Sequence, residues 1–300
     1  MDPLDPFSVA AILVIAGALI FSVWRRTDLA PMLILANLIV FMVTLLSPWD
    51  GLYVVQSDLG FQPVYLQTGE NLYTIFTQMF IHGGIMHILF NMLFLYLIGV
   101  QLEERVGKTR FAAIYFVAGV AGVLFEALVQ WGSATVIIGA SGAISGAMGA
   151  MLLLYPRDNI PFFLGPIFLP RVPVWLGVGG WFAIQVFLAF SDSSGGVAYA
   201  AHIGGFLMGA AVAQVTSVRR GGEEEVMDID DLDPLATTPE LRNALEHIRE
   251  EENDDVRRAW LEYFAERAVC PRCGRRMEVR GNKVKCECGY SQTIGWRRSE

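Results

Sequence analysis

The chain has 300 residues, 54% of them hydrophobic and 17% charged, with a formal net charge of −8. That acidic balance excludes a basic nucleic-acid-binding face, so no nucleic acid is expected as a partner. Apolar runs up to about residue 218 exclude a soluble fold for that part, because a soluble core cannot cover so many segments of near-membrane length, whereas a bilayer can.

From Arg219 onward the chain is polar and acidic, which implies a membrane domain followed by a water-exposed tail of roughly 80 residues. The N-terminus, Met1 to Pro6, carries Asp2 and Asp5 but no Lys or Arg. A cleavable signal peptide begins with positive charge, so the run Phe7–Trp24 and the following Arg25-Arg26 read as a retained helix.

Seven apolar segments follow one another at about 7–24, 30–47, 81–102, 111–131, 139–155, 173–190 and 197–217. The shorter ones fit a bilayer by tilt or local thinning. Each is expected to be helical, since unsatisfied backbone groups are too costly in lipid. Up to residue 220 the basic residues are Arg25, Arg26, Arg105, Lys108, Arg110, Arg157, Arg171, Arg219 and Arg220. With seven spans they all fall on one side, whereas the N-terminus, the long loop 48–80 and the loops near 132–138 and 191–196 hold none. This asymmetry predicts an outward N-terminus and a cytoplasmic tail, in a multi-pass protein of the cell membrane.

Of the four histidines, His82, His87 and His202 lie in or beside spans, where an ionisable group suggests function. The third, fifth and seventh spans run in the same direction. His87, Ser141 and His202 each sit a few residues from the outer end of one of them. At about 1.5 Å of rise per residue the three side chains lie at similar shallow depth and can converge. Ser141 stands in Gly139-Ala140-Ser141-Gly142, within a run of small residues up to Ala150. Glycines there let backbone and substrate approach the hydroxyl closely. A helix starting near Ser141 also leaves backbone N–H groups free to face an oxyanion.

A serine hydroxyl needs a base to become a good nucleophile, and His202 is the candidate. It can reach Ser141 only if the two helices pack nearly backbone to backbone. Gly142, Gly146 and Gly149 on one helix and Gly205 and Gly209 on the other provide for that contact. No acidic residue stands near enough to mark a third member, although Asp192 stays open, so a Ser-His dyad is the economical reading. His87 and Asn91, four residues apart, share a helix face, and both can donate to an oxyanion.

His87-Ile88-Leu89-Phe90-Asn91, Gly139-Ala140-Ser141-Gly142 and Ala201-His202-Ile203-Gly204-Gly205 with Gly209 resemble, in order, the three signatures of the rhomboid intramembrane serine proteases. The resemblance spans about residues 30–217. It implies an all-α polytopic membrane protein with a six-helix core and a Ser-His dyad in a water-filled cavity, here preceded by one extra N-terminal transmembrane helix. It implies cleavage of peptide bonds in or near transmembrane segments of other membrane proteins, with the lipid bilayer as the medium and no cofactor for the chemistry. His82 falls where the family often has a second histidine that serves hydrogen bonding and water retention. Glu103-Glu104-Arg105 resembles the family's Glu-x-Arg, and the loop 48–80 its membrane-embedded hairpin. Two positions depart from the pattern. Tyr73-Thr74 stand for the usual Trp-Arg, and Ser145 stands for an aromatic that stacks on the imidazole.

In the tail, the acidic residues Glu223 to Glu225 and Asp228 to Asp233 read as a solvated linker over 219–237. Thr238-Pro239-Glu240 reads as a capped helix start, and the apolar spacing after it suits one or two short amphipathic helices over 238–268. Cys270-Pro271-Arg272-Cys273 and Cys286-Glu287-Cys288 flank a hairpin expected to turn at Gly281-Asn282. Four thiolates in two pairs are the ligand set of structural zinc, so 269–300 resembles a zinc ribbon, with disulfide pairing as the alternative.

The expected domains are thus 1–29 (the extra helix), 30–218 (the core), 219–237, 238–268 and 269–300. The expected function is an intramembrane serine endopeptidase acting on transmembrane substrates, with an unidentified cytoplasmic partner for the tail. A catalytically silent adaptor that binds transmembrane helices is the alternative. A transporter is disfavoured because Glu126 alone places a charge within a span.

Overall fold

Residues 3–47, 51–164, 167–191, 196–218, 225–251, 254–280 and 283–298 are described by a computed structural model. Asp192, the pair Arg219-Arg220, Glu223 and Glu224, and the turn at Gly281-Asn282 lie outside these residues. The chain divides into two units, Met1–Val218 and Arg219–Glu300.

Among the described residues of the first unit, seven apolar helices match the seven apolar segments of the sequence. They are α1 (Pro6–Arg25), α2 (Leu29–Leu46), α4 (Ile85–Val106), α5 (Lys108–Val129), α6 (Ser141–Leu154), α7 (Val174–Ser191) and α8 (Tyr199–Val218), with α3 (Gly51–Leu59) in the long loop. Among the described residues five of them (α1, α2, α4, α5 and α7) are long and apolar enough to cross a membrane. α6 has only 14 residues, and ten of them are buried. It is the central helix of the unit, so its length is set by packing against protein more than by contact with lipid.

The helix ends show how buried backbone is satisfied without water. α1 starts at Pro6 behind Asp5, whose side chain accepts from Phe7 N at 2.8 Å. α2 takes its cap from a distant residue. The Glu103 carboxylate, 4% exposed, accepts from Leu29 N and Ala30 N, each at 2.6 Å. A carboxylate on the free N–H groups of a helix start is favoured by hydrogen bonding and by the helix dipole. Lys108 Nζ donates to the carbonyls of Ser22 at 2.5 Å and Thr27 at 2.8 Å, which closes the corner between α1 and α2. The first residue of the resemblance's Glu-x-Arg is therefore a helix cap, and Arg105 pairs with Asp158 at 3.3 Å.

The long loop is ordered around α3 and a β-bridge from Phe61 to Ile137. Tyr73, where the family pattern has a larger motif, donates its hydroxyl to the Asp58 carbonyl at 2.9 Å. Between α6 and α7 the chain forms an antiparallel hairpin, β1 (Asn159–Leu164) with β2 (Ile167–Pro173). This hairpin lies in the connection between two helices of the bundle, for which the sequence predicts no element. Its aromatic and β-branched residues favour strands, and buried Phe162 packs against Gly177 of α7.

α6 and α8 meet through their backbones. A Cβ built on Gly205 would stand 2.1 Å from the Gly142 carbonyl oxygen, and one on Gly209 would stand 2.1 Å from that of Gly146. On Gly149 it would lie 2.1 Å from the Phe206 carbonyl oxygen, and on Gly122 of α5 it would lie 2.6 Å from that of Ala201. Small residues that let membrane helices approach this closely replace the hydrophobic drive that lipid does not supply.

The second unit has its own core of Ile229, Leu232, Leu235, Leu241, Leu245, Phe264, Met277 and Val284, among others. Helices α9 (Pro239–Glu250) and α10 (Asp254–Arg267) pack on one another, and Thr238 Oγ1 accepts from Leu241 N at 3.3 Å as the cap. Strands β4 (Glu278–Arg280), β5 (Lys283–Lys285) and β6 (Ser291–Thr293) form a small antiparallel sheet. The solvated linker expected over 219–237 needs correction over 225–235. Strand β3 (Glu225–Asp228) pairs with β7 (Gly295–Arg298), and a 3-10 turn over Asp230–Leu235 buries Leu232 and Leu235. Its acidic side chains stay outside, where Arg249 bridges Asp230 at 3.2 Å and Asp233 at 2.8 Å. Charge density alone suggested a linker, whereas the apolar residues between the acids decide the packing.

Gly209→Val places side-chain atoms against backbone that cannot give way. The expected cost exceeds the ~1–3 kcal/mol typical of overpacked cores. Gly179 faces open space and serves as the control. Detergent-solubilised protein should show a markedly lower denaturation midpoint for Gly209→Val and a near-native one for Gly179→Ala.

Candidate active site

Ser141 is the first residue of α6, preceded by Gly139 with φ +123°, a conformation that L side chains rarely adopt. A Cβ on Gly139 would also lie 2.7 Å from His87 Nε2. Glycine at this position therefore lets α6 begin abruptly and brings His87 close to the serine. Beginning the helix here leaves the N–H of Ser141 without an intrahelical acceptor.

His202, one turn into α8, reaches across the glycine contact. Its Nε2 lies 2.9 Å from Ser141 Oγ, and its Nδ1 lies 2.7 Å from Gln185 Oε1 on α7. The Trp181 ring is tilted over the imidazole at 5.9 Å between centroids, and the Tyr199 ring meets it edge-on at 6.4 Å. Ser145, at the position of the family's stacking aromatic, donates instead to the Ser141 carbonyl at 2.6 Å. Aromatic support for the imidazole thus comes from α7 and from the start of α8.

His87 Nδ1 accepts from Gly83 N at 3.3 Å, which leaves Nε2 to carry the proton and face the serine. Asn91 Nδ2 donates to the His87 carbonyl at 2.8 Å, one turn back on its own helix. That bond uses one of its two amide hydrogens, and Asn91 still lines the cavity. His82 is buried, its ring edge-on to His87 at 5.0 Å between centroids, and neither of its ring nitrogens has a hydrogen bond of good geometry. His87, Asn91, Ser141, Ser145 and His202 border one partly open cavity of about 1080 Å³, which Trp181, Gln185 and Tyr199 also line.

Glu126, the charge within a span, is a structural group. Its carboxylate, 4% exposed, accepts from Ala201 N at 2.8 Å and from Gln130 Nε2 at 2.6 Å. It caps α8 immediately before His202. Sequence reasoning singled out neither Gln185 nor Trp181. Gln185 did leave a signal, as the one amide in the apolar run of α7, because a polar group inside a span demands a partner.

In the second unit the Sγ atoms of Cys270, Cys273, Cys286 and Cys288 lie within 4.8 Å of one another. Cys270 and Cys288 are 3.6 Å apart and Cys273 and Cys286 are 3.4 Å apart, all four being free thiols. A disulfide requires about 2.05 Å. The edge of a tetrahedron with Zn–S bonds of about 2.3 Å is about 3.8 Å. The donor set fits a four-coordinate metal in number, chemistry and spacing. The backbone N–H of Arg275, and then its side chain, hold the Cys273 thiol down to about 6, whereas Cys286 beside it is pushed up to about 12, so the first proton of this pair leaves from Cys273.

The fold and this site define an integral multi-pass membrane protein that sets a serine hydroxyl against an imidazole inside a helical bundle. A family model described as the rhomboid domain matches residues 69–219, and the chain belongs to the rhomboid family. It is 32% identical over 151 residues to the Rhomboid protease GluP of Bacillus subtilis, a match covering 49% of this chain and 27% of that protein. It is 27% identical over 219 residues to RHOMBOID-like protein 4 of Arabidopsis thaliana, covering 64% of this chain and 53% of that one. The Inactive RHOMBOID-like protein 8 of the same plant is 27% identical over 134 residues, covering 39% and 37%. The chain spans about half the length, or less, of the curated relatives it matches.

Removing the Glu126 carboxylate leaves the buried N–H of Ala201, at the start of α8, without its partner. Glu126→Ala is expected to cost about 1.5–3 kcal/mol, the range for a hydrogen bond to a charged group. The denaturation midpoint in detergent measures it, and an unchanged midpoint would contradict the capping role.

Proposed function

We propose that the chain is an intramembrane serine endopeptidase that cuts peptide bonds in or near the transmembrane segments of other membrane proteins. The observation that carries this reading is the 2.9 Å contact between Ser141 Oγ and His202 Nε2 on the wall of an open cavity. His202 Nε2 takes the proton as Ser141 Oγ attacks the scissile carbonyl carbon. The backbone N–H of Ser141, with the Nε2–H of His87 and the side-chain amide of Asn91, stabilises the oxyanion. Collapse expels the amine, which takes the proton from the imidazolium and leaves an acyl ester on Ser141. His202 then deprotonates a water molecule that hydrolyses the ester and frees the serine. His82, buried beside His87, supports that ring edge-on, and none of these steps calls on a cofactor.

A helical substrate must unwind to present its carbonyl, so small or helix-destabilising residues near the cut are favoured. The distribution of basic residues supports an outward N-terminus and a cytoplasmic tail in a cell membrane. The proposed division sets an extra helix over 1–29 before a protease core over 30–218, with the tail beyond it. Both nucleophile and base are present, which favours catalysis over the alternative of a silent adaptor. In the tail we propose a structural zinc ion held by Cys270, Cys273, Cys286 and Cys288, which would hold together a unit with a small core of its own.

Reconstituted protein with a model transmembrane substrate tests the protease reading. Ser141→Ala and His202→Ala should each lower turnover by at least about 10⁴-fold. His87→Ala or Asn91→Ala should lower it by about 10²–10³-fold. Equal cleavage by the native chain and both dyad variants would overturn the assignment. Metal analysis of the purified chain should find one zinc per molecule, lost in Cys270→Ser, and a metal-free native protein would end the zinc proposal.

A further inference from the structure

Gln185 is an expensive residue for its position. It is 8% exposed, in the middle of the 18-residue apolar helix α7, and burying an amide there without a partner costs several kcal/mol. Its Oε1 lies 2.7 Å from His202 Nδ1. The other ring nitrogen of the same imidazole lies 2.9 Å from Ser141 Oγ.

The two contacts are chemically linked. A neutral imidazole carries one proton, on one nitrogen or the other. Nε2 can accept the serine proton only when Nδ1 holds the ring proton, and a proton on Nδ1 needs an acceptor. A side-chain carbonyl supplies that acceptor. The amide's other end, its NH₂, would force the proton onto Nε2 and leave the base unable to act. Three elements fix the ring from three sides. Trp181, four residues before Gln185 and thus on the same face of α7, covers the imidazole, Tyr199 meets it edge-on, and Ser141 receives it.

We infer that Gln185 is the positioning residue of the base: its side-chain carbonyl accepts from Nδ1–H of His202 and holds the imidazole in the tautomer that can deprotonate Ser141. The inference rests on the protease reading for its catalytic consequence. The Gln185 contact takes the place of the third, acidic member that the sequence left open, and it does so with a dipole instead of a charge.

Two measurements test it. In the first, histidine is labelled with ¹⁵N and the full-length protein in bilayers is studied by solid-state NMR, with His202 assigned by comparison with His202→Ala. The native chain should show His202 protonated at Nδ1 and bare at Nε2, and Gln185→Leu, of similar size but without an acceptor, should lose that preference. In the second, cleavage of a model transmembrane substrate is followed in liposomes. Gln185→Leu should lower kcat by roughly 10- to 100-fold with KM nearly unchanged, the scale of one buried hydrogen bond lost from the transition state. Gln185→Glu, which presents an acceptor in either orientation, should restore most of the turnover. A native His202 protonated at Nε2, or a Gln185→Leu chain with native tautomer and native kcat, would overturn the inference. A native chain that cleaves no better than Ser141→Ala would instead defeat the protease reading, and the NMR result would still decide the role of Gln185.

Discussion

The distance between Ser141 and His202 is set by a contact in which neither side chain takes part. α6 and α8 touch through Gly142 and Gly205, and again through Gly146 and Gly209, at separations that leave no room for a single Cβ. A Cβ at Gly205 or Gly209 would stand 2.1 Å from a carbonyl oxygen of α6, so a larger residue at either position would push the helices apart by about an ångström or more. A hydrogen bond of 2.9 Å does not survive a displacement of that size. The chemistry proposed for the cavity therefore depends on glycine backbone packing below it, and α5 joins the same contact through Gly122 against Ala201.

A second constraint is the cost of polar groups away from water. Within the helical unit, several buried or half-buried polar side chains have a definite task at a helix end or at the site. Glu103 caps α2, Glu126 caps α8, Lys108 closes the carbonyl end of α1, and Gln185 faces the imidazole. Two of these groups act on the position of His202 from different directions. Glu126 fixes the start of the helix that carries it, and Gln185 lies against the ring itself. Both contacts bear on how the imidazole is held.

The second unit follows different physics. It has amphipathic helices, short strands and charged surfaces, as expected of a module in water. The four thiols at the end of its small sheet have the spacing of a tetrahedral metal site. Its acidic N-terminal stretch contributes Ile229, Leu232 and Leu235 to the core, while the carboxylates of Asp230 and Asp233 reach outward to Arg249.

By itself the sequence located the seven apolar segments that fold as helices among the described residues, five of them long and apolar enough to cross a membrane. It also marked Ser141, His202, His87 and Asn91 as candidates for one site, since histidines in lipid and glycines at helix contacts are rare enough to mark themselves. The two paired cysteine motifs were equally plain. Tertiary structure alone decided which nitrogen of His202 meets the serine, which amide meets the other nitrogen, and which aromatic rings replace the one missing at Ser145. It also decided that Glu126 and Glu103 are caps, that 159–173 is a hairpin, and that 225–235 is folded. The physical reason is the same in each case. Periodicity and polarity are local properties and can be read along the chain. A hydrogen bond between residues such as Glu103 and Leu29, or Gln185 and His202, exists only once helices distant in sequence have chosen their neighbours.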